Sequence, residues 1–174
     1  MPKRSKDQIL VDEMKIISEL QKNCNSNYDT IAKNCGFSRQ KTLRMIKQME
    51  KDRKIWGRSA VFDNEKQNLE KFILFVKRTE IRHNPKDIDE IVEKLLASTK
   101  EELGITMISS YRLHGEYDWL MLFTARDIIH AKKFADAIVQ KFPGRQSIHI
   151  SQIIFTVREN YIQNPDIGVM KDFI

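Results

Sequence analysis

Gly36-Phe37 is all that separates two amphipathic segments in the first third of this chain, and so short a link forces the segments to turn sharply and pack on each other. The first segment, Tyr28–Cys35, carries Ile31 and Ala32 at inward positions, and Gly36 is the residue type that ends a helix. Ser38 is a good N-cap for the second, whose apolar positions Leu43, Ile46 and Met49, with Met45 on the flank, recur at helical spacing to about Arg53. A third amphipathic stretch precedes both. Val11, Met14, Ile17 and Leu20, with Ile16 beside them, predict a helix over Val11–Lys22 with one apolar face. Asn23–Asn27 is a polar break of turn formers. Ile55–Phe62 alternates loosely, as a hairpin would. Three helices and a short ribbon predict a winged helix-turn-helix over residues 1–62.

Beyond a polar connector, residues 63–70, the periodicity changes. Phe72–Val76 reads as a buried strand. Asn84-Pro85 opens a helix with Ile88, Ile91, Val92, Leu95, Leu96 and Leu103 inward, closed by Gly104. Thr106–Leu113 and Trp119–Ala125 read as strands joined by His114–Asp118. Asp127 caps a helix bearing Ile128, Ala131, Phe134, Ala135, Ile138 and Phe142, stopped by Pro143-Gly144, and Ser147–Val157 is the last strand. This βαββαβ order predicts an α+β chain whose residues 71–160 form a ferredoxin-like domain, an antiparallel sheet with both helices on one face. The other face would show several of Ile73, Phe75, Leu120, Leu122, Ile153 and Phe155. An apolar face of that size is usually covered, which predicts self-association, most simply as a two-fold dimer. Residues 161–174 form a tail with no assigned role.

The charge is unevenly placed. Residues 1–66 hold 15 basic and 9 acidic side chains, and residues 67–174 hold 15 of each, so the net +6 lies in the first third. Residues 38–58 alone carry Arg39, Lys41, Arg44, Lys47, Lys51, Arg53, Lys54 and Arg58 against Glu50 and Asp52. Such a block is either a solvated face or the footprint of a polyanion. Gln40, Arg44, Lys47 and Lys51 fall in one stripe opposite the apolar face of their helix. A helix of this kind fits the major groove, where Gln reads adenine and Arg reads guanine. Arg39, Gln40 and Arg44, near the helix start, are placed to reach bases, and Lys41, Thr42, Lys47 and Lys51 to meet phosphates. Ser38 caps the helix, Arg58 lies on the ribbon, and Lys3, Arg4 and Lys6 on the N-terminal arm add possible backbone contacts.

Other chemistries lack their signatures. Neither a phosphate-binding Gly-x4-Gly-Lys-Ser/Thr loop nor a Gly-x-Ser-x-Gly elbow occurs. His83, His114, His130 and His149 are widely spread, so neither a metal site nor catalytic residues are expected. Asp87, Asp89, Glu90 and Glu93 sit in the first half of a helix, where they complement its dipole. Cys24 and Cys35, the only cysteines, exclude a disulfide scaffold and read as small apolar residues unless they approach as a redox pair. The longest apolar runs span five residues, well short of the roughly 18 that cross a bilayer. No apolar stretch follows the N-terminal Met-Pro-Lys-Arg, so no signal peptide is expected and the expected location is the cytoplasm.

Taken together, these residues resemble the leucine-responsive/asparagine-operon regulator (Lrp/AsnC) family over about residues 11–160. Ile16-Ile17-Ser18-Glu19-Leu20-Gln21-Lys22-Asn23 resembles the family's first helix. Ile31-Ala32, Gly36-Phe37-Ser38, Leu43, Ile46, Met49-Glu50 and Ile55 resemble its recognition helix and exit. Gly115 to Asp118 followed by Trp119-Leu120 resembles the Gly-x-x-Asp sensor signature, and Pro143-Gly144 the turn before the last strand. Arg53 departs from the family's usual Gly, Met45 and Asn25 from frequent Arg residues, and Arg145 from Val. The resemblance implies a sequence-specific DNA-binding transcriptional regulator and no enzyme. It implies dimers through the sensor sheets, often assembled into tetramers or octamers, no cofactor, and a small effector such as an amino acid near His114, Gly115, Tyr117 and Asp118. Some family members bind no effector. Two alternatives share parts of this plan. A sirohaem-decarboxylase-like enzyme would carry more His and Arg in the sensor strands than Arg112 and His114, and an RNA-binding sheet would carry a Lys/Arg-Gly-Phe/Tyr run that is missing.

Overall fold

The structure is a computed structural model and describes residues 5–77, 103–141 and 147–173. The chain forms two compact units, Met1–Val61 with Val157–Lys171, and Phe62–Thr156 with Asp172–Ile174.

In the first unit, α1 (Lys6–Lys22) begins five residues before the apolar periodicity, because Ser5 caps it by accepting a hydrogen bond from the Gln8 N–H at 3.1 Å. Helix α2 (Tyr28–Cys35) is capped by Asn27, which accepts from the Thr30 N–H at 2.8 Å. It closes on Gly36 at φ 70°, where the Phe37 N–H reaches back to the Ala32 carbonyl at 2.8 Å. Helix α3 (Arg39–Lys51) starts on Ser38. Ile16, Ile31, Cys35, Ile46 and Met49 form the buried core, and Phe37, Met45 and Ile55 pack against it. Burial pushes the free Cys35 thiol up in pKa, which suits a packing role.

The buried face of α1 is the expected one at Ile16, Ile17 and Leu20 but differs from it toward the N-terminal half. Val11 and Met14 are 48% and 62% exposed, whereas Asp12 and Glu13 are buried. The reason is charge pairing. Lys41 Nζ donates to Asp12 Oδ2 at 2.6 Å, and Lys54 Nζ donates to both Glu13 oxygens at 2.8 and 2.7 Å. Carboxylates paired this closely can be withdrawn from water at tolerable cost, and the helix rotates to bring them inward.

No hairpin forms over Ile55–Phe62. The segment is irregular, with no strand pairing. Only Ile55 packs on the core, while Trp56, Val61 and Phe62 face solvent, so alternation here does not correspond to a buried face. Local contacts hold the segment instead. Arg58 Nη2 meets Glu50 at 3.2 Å, and Cys24 Sγ donates to the Ser59 carbonyl at 3.9 Å. The tail returns to this unit. Strands β5 (Arg158–Glu159) and β6 (Ile162–Gln163) pair across Asn160 and Tyr161, at φ 43° and 69°, and the Tyr161 hydroxyl accepts from Gln21 Nε2 at 2.9 Å.

The second unit holds β1 (Glu70–Lys77), β2 (Thr106–Arg112), β3 (Trp119–Ala125), α4 (Ile128–Lys141) and β4 (Ser147–Ile153). The antiparallel sheet has the order β2-β3-β1-β4 expected of a ferredoxin-like domain. The helix expected after Asn84-Pro85, with the Asp87–Glu93 carboxylates, falls outside the described residues except at Leu103, and so do His83, Phe142, Pro143-Gly144 and Arg145. Asp127 caps α4 as expected, accepting from the His130 N–H at 2.9 Å and meeting its Nδ1 at 2.7 Å. Phe72, Leu74 and Val76 of β1 and Met121 and Phe123 of β3 are buried with Phe134 and Ile138 of α4. The Phe123 and Phe134 rings meet edge to face at 4.9 Å. On the opposite face the pairs Ile73↔Leu122 and Phe75↔Leu120 lie side by side, and all four side chains remain half-exposed together with Ile153 and Phe155.

Candidate nucleic-acid interface

Helix α3 divides its residues by face. Thr42, Ile46 and Met49 are buried, and Gln40, Arg44, Lys47 and Lys51 are exposed along one stripe. The first turn is held by its own side chains. Ser38 Oγ accepts from the Lys41 N–H at 3.2 Å, and Thr42 Oγ1 donates to the Ser38 carbonyl at 3.2 Å. Thr42 is fully buried, so its hydroxyl faces the helix rather than an outside ligand.

The basic residues are not equivalent. Lys41 bonds Asp12 and lies over the Phe37 ring at 3.3 Å from its centroid, with only 15% of its side chain exposed. Lys54 is tied to Glu13, and Arg58 to Glu50. Arg39 lies 3.6 Å from Asp29 with both side chains largely exposed, an arrangement worth little in water. Arg44, Lys47, Lys51 and Arg53 make no ion pair with another described residue. Of the arm, Lys6 is exposed on the first turn of α1, and Lys3 and Arg4 lie outside the described residues. The structure thus brings Gln40, Arg44, Lys47 and Lys51 together on the surface and turns Lys41 and Thr42 inward.

Two features of this region were missed in the sequence. The acidic partners Asp12 and Glu13 sit on a helix whose apolar pattern hides them, and only their matching to Lys41 and Lys54 in space reveals them. Trp56 is 95% exposed beside the basic helix, a position signalled in the sequence only by its place in a strongly charged segment.

The second candidate site, in the other unit, is the connection after β2. The Leu113 N–H donates to the Asp118 carbonyl at 2.8 Å, and the Asp118 N–H to the Val76 carbonyl at 2.9 Å, so the turn is anchored to the middle of the sheet. Gly115 adopts φ 154°, a conformation that other residues rarely enter. Tyr117 packs on Phe75 at 5.1 Å and meets His149 edge-on at 5.7 Å, while His114 stays exposed. The turn therefore places Tyr117 on the open, half-exposed face of the sheet. Among the described residues no group of His, Cys, Asp and Glu could hold a metal ion, and no helix is long and apolar enough to cross a membrane.

Residues 13–55 match the winged helix-turn-helix DNA-binding family. Among solved structures, the chain is similar to an AsnC family transcriptional regulator from Agrobacterium tumefaciens, with a TM-score of 0.66 at 21% identity, over 89% of this chain and 96% of that one. The chain has the fold of the Lrp/AsnC regulators. A Neisseria meningitidis transcriptional regulator in complex with L-methionine gives a TM-score of 0.64 at 20% identity, over 90% of this chain and 94% of that one. The feast or famine regulatory protein of M. tuberculosis, complexed with L-methionine, gives 0.68 at 17% identity, over 92% of this chain and all (100%) of that one. No curated protein sequence matches. Arg53, which departs from the Lrp/AsnC pattern, takes the left-handed conformation at φ 56° that the usual glycine would enter without strain.

Proposed function

We propose that this chain is a sequence-specific DNA-binding transcriptional regulator that assembles through its sensor sheet and responds to a small effector, most simply an amino acid. The observation that carries the reading is the exposed stripe of α3, whose cations make no ion pair with another described residue. Gln40, Arg44, Lys47 and Lys51 stand exposed on a capped helix that follows α2 after the three residues Gly36-Phe37-Ser38, in the arrangement that presents a helix to the major groove. In this reading Gln40 and Arg44 read base edges, Arg39 supports them from the helix start, and Lys47 and Lys51 meet phosphates. Lys41, Thr42 and Ser38 hold the helix in place, and Arg58 acts from the segment that follows.

Assembly uses the open sheet face, where Ile73, Phe75, Leu120 and Leu122 would be covered by the same face of a second copy. Such a two-fold pair would place two recognition helices on a pseudo-palindromic site. The effector would lodge near His114, Gly115, Tyr117 and Asp118, and would act through different affinities for two assembly states. Two similar structures hold L-methionine, which makes an amino acid the first ligand to test.

The DNA reading is tested by measuring affinity for duplex DNA over a range of salt concentrations. A steep loss of affinity with salt is expected, and a slope near zero or no binding at low salt refutes the proposal. Light scattering with a panel of amino acids tests assembly and sensing together. A monomer at all concentrations refutes the sheet pairing, and assembly and DNA affinity that no amino acid shifts refute amino-acid control.

A further inference from the structure

Trp56 is the most exposed large apolar side chain among the described residues, at 95%. A tryptophan is seldom left bare without use, because its ring carries a large apolar area. Its neighbours hold it there. The Ile55 N–H donates to the Met49 carbonyl at 3.2 Å, and the Ile55 side chain packs on the core of the first unit. On the other side Arg58 is tied to Glu50 at 3.2 Å. With Ile55 turned inward and Arg58 pinned to α3, the indole stands out from the C-terminal end of the helix. Among its neighbours in the chain, Lys54 and Arg58 are paired with Glu13 and Glu50, whereas Lys51 and Arg53 pair with no other described residue and leave a net positive charge beside the ring. This setting repels a basic partner and suits a polyanion with apolar surfaces between its charges. Duplex DNA offers such surfaces in its deoxyribose rings and minor-groove walls.

We propose that Trp56 is a DNA-contacting residue that packs its indole against the sugars lining the minor groove beside the major-groove site of α3. The inference rests on the DNA-binding reading above. The contact is sequence-tolerant and adds affinity without neutralising a phosphate, so it is independent of salt. Its chemistry differs from that of the charged stripe, which makes the two separable.

The test uses the full chain and a duplex enriched by the protein from a random-sequence pool. The chain has only two tryptophans, and Trp119 is buried in the other unit with its indole N–H bonded to Ser110 at 2.6 Å. Titration with duplex should quench the red-shifted emission of Trp56, and in Trp56→Phe the remaining Trp119 emission should not respond. Trp56→Ala should weaken binding about 5-fold or more, with the slope of affinity against salt unchanged, and Trp56→Phe should recover part of the loss. Both variants should melt as the parent does, since the side chain is exposed. Duplex binding with no Trp56 quenching and unchanged Trp56→Ala affinity overturns this inference and leaves the DNA reading standing. Absence of any duplex binding overturns both. A Trp56 emission shift that follows protein concentration without DNA assigns the residue to self-association and also overturns it.

Discussion

Replacing Arg44 and Lys47 together by Ala should change how DNA affinity depends on salt, and replacing Lys41 by Met should not. Of the cations at 38–58, four make no ion pair with a described residue: Arg44, Lys47, Lys51 and Arg53. If each displaces one condensed counterion, Arg44 from the groove edge and the other three at phosphates, the slope of log affinity against log salt is about −3.6 per bound protomer. Raising salt from about 50 to about 200 mM then weakens binding about 150-fold. Without Arg44 and Lys47 the slope falls to about −1.8 and the same rise costs only about 12-fold. Lys41 lies in the same helix, yet its charge already belongs to Asp12, whose side chain is 4% exposed. Lys41→Met should leave the slope unchanged and instead destabilise the fold by about 1–3 kcal/mol, the cost of removing the charged partner of a buried carboxylate that keeps its hydrogen bond from Gln8. Adding Asp12→Leu should return most of that stability, since both charges are then gone. Anisotropy titrations across a salt series and urea unfolding read the two effects separately. A slope reduced by about 0.9 in Lys41→Met, with stability unchanged, refutes the division of the helix into structural and binding charges.

Three further outcomes follow from particular contacts. Arg53→Gly should raise stability by about 1 kcal/mol, because it relieves a side chain held at φ 56°, and a lower urea midpoint would contradict this. Leu122→Arg should break the open-face pairing and halve the mass seen by light scattering, and an unchanged mass rejects that face as the interface. Asp127 is held below the usual carboxylate range by hydrogen bonds from the His130 side chain and backbone. A carboxylate lowered in the folded state contributes stability above its unfolded pKa, and this is lost as pH falls through the lowered value. Asp127→Asn should therefore flatten the acid limb of the stability profile, and an identical acid limb shows that the contact is not felt.

The legible parts of the fold were those where one local signal sufficed. Gly36 stopping α2, Ser38 opening α3 and Asp127 opening α4 each depend on a residue's own backbone or side-chain chemistry, and each stands where the spacing places it. The element order followed from short apolar runs and helical periods, since Phe72–Val76 and Trp119–Phe123 are unbroken apolar stretches too short for a helix, and they form β1 and β3 with Phe72, Leu74, Met121 and Phe123 in the core. Reading failed where the partner was remote. Apolar spacing predicted Val11 and Met14 to be inside α1, but ion pairs 29 and 41 residues away drew Asp12 and Glu13 inward. The segment at Ile55–Phe62 misled in the opposite way, because alternation without a facing strand has nothing to bury. The tail at Val157–Lys171 joins the first unit through contacts such as Tyr161 with Gln21, a pairing across 140 residues that no local pattern encodes.

The same distance dependence governs the candidate site. A block of eight positive charges against two negative ones looks uniform along the chain, but its members meet different neighbours in space. Lys41 and Lys54 reach back to α1 and fix the pitch at which α3 lies on it, so part of the basic block builds the helix pair. What is left for an outside polyanion is a narrower set, Arg44, Lys47, Lys51 and Arg53 with the loosely held Arg39, displayed by the part that is spent. Charge in such a segment therefore bears on function only after the internal pairs are subtracted. A variant that removes an internal cation lowers DNA affinity through a tilted or unfolded helix, and the unchanged salt slope distinguishes that loss from a missing phosphate contact.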